Sequence, residues 1–127
     1  MRRVAANKVY FSPSNYYRNH ILEIYGKKVV NHYELKDELE LTEWLGGIII
    51  IAGEKAIAQF VDDIKQATFL PSHIDEILHY IYTSPKTTSE EGNVGNQMMA
   101  LHISGIDIST GKILDKTTPL PLVSPIL

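Results

Sequence analysis

The chain has 127 residues, of which 44% are apolar and 21% charged, with a net charge of −3 and no cysteine. That length suits one domain with its own core and falls far short of the roughly 250 residues of a complete barrel enzyme, while the composition is that of a chain that folds. A mildly acidic chain whose Lys and Arg are scattered after Arg2-Arg3 offers no footprint for nucleic acid, and the missing thiols exclude a disulfide framework, a thiolate metal site and a cysteine nucleophile.

No apolar segment follows the two arginines, and the longest apolar run, Ile48 to Ala52, is far below a membrane span. The expectation is a cytoplasmic protein with no membrane partner. In chain order, Val4 to Phe11 reads as a first strand, closed by the turn-forming Ser12-Pro13-Ser14-Asn15, where proline denies a ladder its donor. Tyr16 and Tyr17 fall in the polar loop expected after it. Residues 20–35 alternate around Gly26-Lys27-Lys28, which predicts a β-hairpin with Gly26 at a turn position.

Residues 34–44, "ELKDELELTEW", fit both helical and strand spacing and are read as a loop leading into a short strand. Ile48 to Ile51 is β-branched throughout and bounded by Gly46-Gly47 and Gly53, the pattern of a central strand buried on both faces. After Gly53 the period changes. Ala56, Ile57, Phe60, Val61 and Ile64 share one stripe and predict a helix over 55–67. Pro71 then restarts the chain, with Ser72 as the expected N-cap of a second helix over 73–82, Asp75 and Glu76 in its first turn, and Ile74, Ile77, Leu78 and Ile81 as its apolar face.

The segment 84–96, "SPKTTSEEGNVGN", reads as a loop. Alternation resumes at Met99, Leu101 and Ile103, is interrupted at Gly105, and turns at Gly111-Lys112. The final "TTPLPLVSPIL" carries three prolines and fits an edge strand or extended arm but not a central strand. The whole is read as a single domain, 1–127: strands over 3–53, a helical insert over 54–83, a loop over 84–96 and a β return over 97–123. The fold class is α+β, a β-rich sheet or sandwich with two inserted helices.

The polar residues form no recognised catalytic pattern. His73 and His79 on the second helix are six residues apart, roughly 120° from eclipsed, rather than at the i, i+4 spacing of helical metal pairs. His20, His32 and His102 lie on strands with no carboxylate or histidine beside them in sequence, the pattern of structural histidines. The acidic run Glu34, Asp37, Glu38, Glu40 and Glu43 reads as a solvated surface. Gly46-Gly47, Gly92 and Gly95 lack the lysine and helix start of a phosphate loop, and no serine stands in G-x-S-x-G. Tyr16 and Tyr17 are the candidate interface residues, since tyrosines suit partner contacts, although covering the edge of the sheet is the commoner role of such a pair. Trp44 is expected in the core.

The opening "VAANKVYF", then "HILEIYGKKVV", then "LTEWLGGIIIIAG" resembles the N-terminal strands of the amidohydrolase superfamily of metal-dependent hydrolases, and "ALHISGIDISTGKIL" resembles the strands that return from beyond the catalytic barrel. Together such strands make that superfamily's small β-rich composite domain, so the resemblance implies a composite-domain-like sheet. It also implies where metal should sit: a P-G at the strand end, followed by an H-x-H motif. Here Ala52 stands for the proline, Gly53 is kept, and Ala58 and Phe60 occupy the histidine positions. Residues 54–83 are too few for a barrel.

Three readings result. The first is a non-catalytic scaffold resembling a detached composite domain, which binds a protein partner or forms a homo-oligomer and needs no cofactor. The second is a small-molecule-binding module with a pocket between helices and sheet. The third is a divergent metal-dependent hydrolase whose histidines meet only in space.

Overall fold

The structure is a computed structural model that describes residues 2–36, 42–83 and 98–122. Arg2–Ser12 (β1) and Asn15–Tyr25 (β2) pair antiparallel about Pro13-Ser14, and Lys28–Glu34 (β3) pairs antiparallel with β2. The first hairpin is thus longer than its sequence suggests. Tyr16 and Tyr17 lie not in a loop but on β2, opposite Tyr10 and Val9. Alternation of burial could not reveal this, because every residue from Pro13 to Asn19 is exposed and both faces of the hairpin tip meet solvent.

Thr42–Trp44 (β4) and Ile48–Gly53 (β5) run parallel to β1, one after the other along the same edge: β4 at Arg3 to Ala5, β5 at Lys8 to Tyr10. All six residues of β5 are buried, as the β-branched run predicts. Glu54–Lys65 (α1) and Ile74–Tyr82 (α2) follow, then Met98–Ile106 (β6), antiparallel to β5, and Ile113–Leu122 (β7), antiparallel to β6. One mixed sheet results, ordered β3-β2-β1-β5-β6-β7, so the architecture is β-rich α+β. The expected loop over 84–96 lies outside the described residues.

Alternation splits the core in two. Ile48, Ile50 and Ala52 of β5, with Met99, Leu101 and Ile103 of β6, meet the helices at Ile57, Phe60, Ile77, Leu78 and Ile81. Ile49 and Ile51 point the other way, to Val4, Val9, Leu22, Ile24 and Ala100. That second face is enclosed by the sheet itself, which curls until β3 comes into contact with β6. A hydrogen bond ties the end of α2 to the sheet: the Tyr82 hydroxyl, whose ionisation burial pushes far up, donates to Ile51 O at 2.5 Å and lies 3.2 Å from Tyr10 O.

Two local expectations are corrected. The N-cap of α2 is His73, whose Nδ1 accepts from Asp75 N at 3.0 Å; Ser72 instead donates its hydroxyl and its amide to Glu76, at 2.6 and 3.1 Å. Trp44 is 53% exposed rather than a core plug, because it stands on the three-residue β4, no residue of which is buried. The described part of the proline-rich tail, up to Leu122, is an edge strand, as expected. Pro119 and Pro121 stand opposite Ile103 and Leu101, and prolines two residues apart keep a ladder only if their missing N–H groups face away from it.

The turn before β7 docks on the start of α2. Ile74 N donates to Gly111 O at 2.8 Å, and Ile113 N to Ser72 O at 3.0 Å. Gly111 has φ +79°, and a Cβ there would sit 2.7 Å from His73 Nε2 and 2.9 Å from Ile74 Cγ2. Gly111→Ala should therefore cost about 2 kcal/mol through backbone strain and displaced packing. Thermal melting reads this directly, and an unchanged midpoint would contradict the docking.

Ile50, fully buried under the helices, gives a harsher test. Ile50→Asp places an unpaired charge in the core and should remove most of the stability of a domain of this size. Circular dichroism at room temperature should show loss of the folded signal, whereas native-like melting would refute the packing.

Candidate functional site

Two groups of polar side chains are gathered by the β1–β2 hairpin, one on each face. On the helix-side face, Lys8 stands directly opposite Arg18, and Tyr10 opposite Tyr16. Lys8 Nζ lies 5.2 Å from the Tyr16 ring centroid and 3.4 Å from Ile108 O, while Tyr16 packs on Tyr10 at 5.0 Å. Beside the two cations is a depression of about 530 Å³ lined by Asn7, Lys8, Arg18, Asn19, Ile108 and Ser109. It lies against the turn after β6, not between helices and sheet, where apolar side chains fill the space.

The opposite face holds a ring cluster. Tyr17 stacks on His20 at 4.6 Å, Phe11 lies 4.6 Å from His32, and His20 Nε2 meets His32 Nδ1 at 2.9 Å, one nitrogen donating and the other accepting. These histidines stand alone in sequence, yet the β2–β3 register, which pairs Leu22 with His32 and His20 with Glu34, brings them together. Histidines twelve apart across a predicted hairpin centred on Gly26 were the available signal. Tyr16 and Tyr17, as adjacent strand residues, serve opposite faces and do not form one patch; they are 38% and 42% exposed.

The other histidines are dispersed. His73 spends both nitrogens locally, on Asp75 N and on Thr110 O at 2.9 Å, and His79 is exposed on α2. His102 Nε2 donates to Gly46 O at 3.1 Å, beneath the link into β5. Gly47 there has φ +66°, donates to Asn7 Oδ1 at 2.8 Å, and leaves no room for a Cβ, which would lie 2.9 Å from Ile103 O. Of the acidic run, Asp37, Glu38 and Glu40 lie outside the described residues; Glu43 pairs with Arg2 at 3.0 Å. Among the described residues no three His, Asp or Glu side chains are arranged to hold a metal ion.

At the end of β5, Gly53 becomes the N-cap of α1, Ala58 is exposed on that helix and Phe60 is buried beneath it. Neither residue has a side chain that can bind metal. No described helix is long and apolar enough to cross a membrane.

No family model matches the chain, and no curated protein matches it. Among solved structures it is similar in part to the crystal structure of N-acetyl-D-glucosamine-6-phosphate deacetylase from Mycobacterium smegmatis, at 18% identity and a TM-score of 0.34, over 42% of this chain and 15% of that one. That protein is an amidohydrolase-family deacetylase. A likeness of this extent assigns neither a fold nor an activity.

Burial first, then the neighbouring His32, holds His20 below its ordinary value of 6.5, with Glu34 pulling upward. Burial likewise lowers His102, against the hydrogen bond to Gly46. Each group therefore contributes stability that is fully present above about 6.5 and is lost as pH falls from there through the folded value, because the unfolded chain takes up the proton first. The thermal midpoint should fall between pH 7.5 and pH 5. His20→Asn should flatten that slope in a melting series, and a slope identical to wild type would refute the assignment.

Proposed function

We propose that this chain works by binding rather than by catalysis, as a non-catalytic domain resembling an amidohydrolase composite domain detached from its barrel. The observation that carries the reading is the use made of the end of β5: the strand that would deliver metal ligands in that superfamily delivers α1, and Phe60 joins the core. The residues after Gly53 are spent on packing. A catalytic zinc needs about three protein ligands and an open position, and His20 with His32 supplies two nitrogens already bonded to each other.

The contact surface of this domain is the end of the β1–β2 hairpin. Tyr16 and Tyr17 are exposed yet held by ring contacts to Tyr10, Phe11 and His20, and aromatic groups already fixed in place lose little freedom on meeting a protein partner or a second copy. The depression beside Lys8 favours a second reading, a module for a small molecule, since its volume lies in the range of ligand sites.

Protein purified without chelator should carry no stoichiometric transition metal and should hydrolyse neither amide nor ester substrates after zinc or manganese is added. Stoichiometric metal that disappears in His20→Ala or His32→Ala, together with turnover, would overturn the binding reading and restore the divergent hydrolase.

A further inference from the structure

We propose that the depression beside Lys8 and Arg18 is a site for a small dianion, a free phosphate or the phosphate group of a small molecule. The inference rests on the reading of this chain as a binding domain and names the chemistry of one ligand. It starts from a cost. Lys8 and Arg18 are directly opposed across the β1–β2 ladder, and like charges so placed destabilise a sheet pair. Beside them Asn19 has φ +49°, a left-handed conformation uncommon outside glycine, though asparagine tolerates it best. Two unfavourable features thus meet at one surface depression, and neither serves the core.

The donors around it are left over from folding. Asn7 commits its Oδ1 to Gly47 N, so what remains to it is the amide N–H₂, a pair of donors. Lys8 gives one long hydrogen bond, 3.4 Å, to Ile108 O, and its other ammonium protons remain. Arg18 has no hydrogen bond or ion pair among the described residues, and its guanidinium suits two oxygens of one oxyanion. Asn19 spends its carbonyl on Leu35 N at 2.9 Å. The surroundings therefore supply two positive charges and amide donors.

The carboxylate nearest in sequence to this rim is Asp107, and it is turned into its own loop. It accepts from Ser109 N at 3.0 Å and from Ser109 Oγ at 2.7 Å, bonds that hold it below the usual carboxylate range. Ser109 thereby spends its hydroxyl proton and its amide within the turn, so the donors to the depression are those of Asn7, Lys8 and Arg18. A single carboxylate ligand would satisfy one cation and leave the other opposed. A phosphate dianion matches both charges at once, and a cavity of about 530 Å³ leaves space for the small molecule that carries it.

The test is titration of the isotope-labelled chain with inorganic phosphate at pH 7.5 and low salt, followed by backbone amide shifts. Saturable shifts confined to residues 7–8, 18–19 and 108–109 are expected. Lys8→Gln with Arg18→Gln should weaken binding at least about ten-fold, the loss expected of two charge-assisted hydrogen bonds. Lys28→Gln with Lys55→Gln, which removes the same charge from exposed positions elsewhere, should leave it unchanged.

An unstructured acidic peptide titrated in parallel distinguishes a phosphate from carboxylates on a protein. Shifts with the peptide and none with phosphate would overturn the dianion site while leaving the binding reading intact. No shifts with either, or equal weakening in both double variants, would also overturn it. Metal retention with turnover would instead remove the broader reading.

Discussion

Burial of β5 on both faces is the constraint from which the rest of the molecule follows. A strand with no solvent-facing side needs a hydrogen-bonded neighbour on each edge and an apolar layer on each face. β1 and β6 supply the edges. The layers come from different sources: helices cover Ile48, Ile50 and Ala52, while the curled remainder of the sheet covers Ile49 and Ile51. Both described helices lie on one face, and folding the sheet over itself lets one element serve as wall and as core.

The sequence disclosed what periodicity can disclose. The isoleucine run, the switch to a helical stripe after Gly53 and the proline-marked edge were legible because each is dictated by local burial. What escaped was set by pairing between distant residues. Tyr16 and Tyr17 lie where both faces of the hairpin are wet, so no alternation marks them as strand. His20 and His32 meet through β2–β3 register, and Lys8 meets Arg18 through β1–β2 register; neither pair has a sequence signature stronger than position around a turn. Trp44 departs from its expected place in the core because size and apolarity alone do not bury a side chain: it stands on a three-residue strand none of whose residues is buried.

The β1–β2 hairpin consequently does two jobs with one register. Its inner half, from Val4 to Ala6 and from Ile21 to Ile24, contributes buried side chains to the sheet interior, while its outer half carries the exposed rings, cations and asparagines. Val9 and Tyr10 of that half still belong to the core, whereas Tyr16, Tyr17, Arg18 and Asn19 are exposed, so substitutions at those four act on side chains that contribute little to it. The histidine pair sits at the boundary, with His20 buried and His32 exposed, and so couples the ring cluster to the protonation of one buried imidazole.

The prolines of β7 leave one border of the sheet short of donors. Any foreign strand that approaches the β7 border finds missing donors at Pro119 and Pro121, so that border is a poor template for strand addition. A fibre requires two compatible borders on every unit, one to receive and one to extend. With the β7 border blunted by proline, edge-to-edge stacking of native sheets meets a gap in the ladder at every unit.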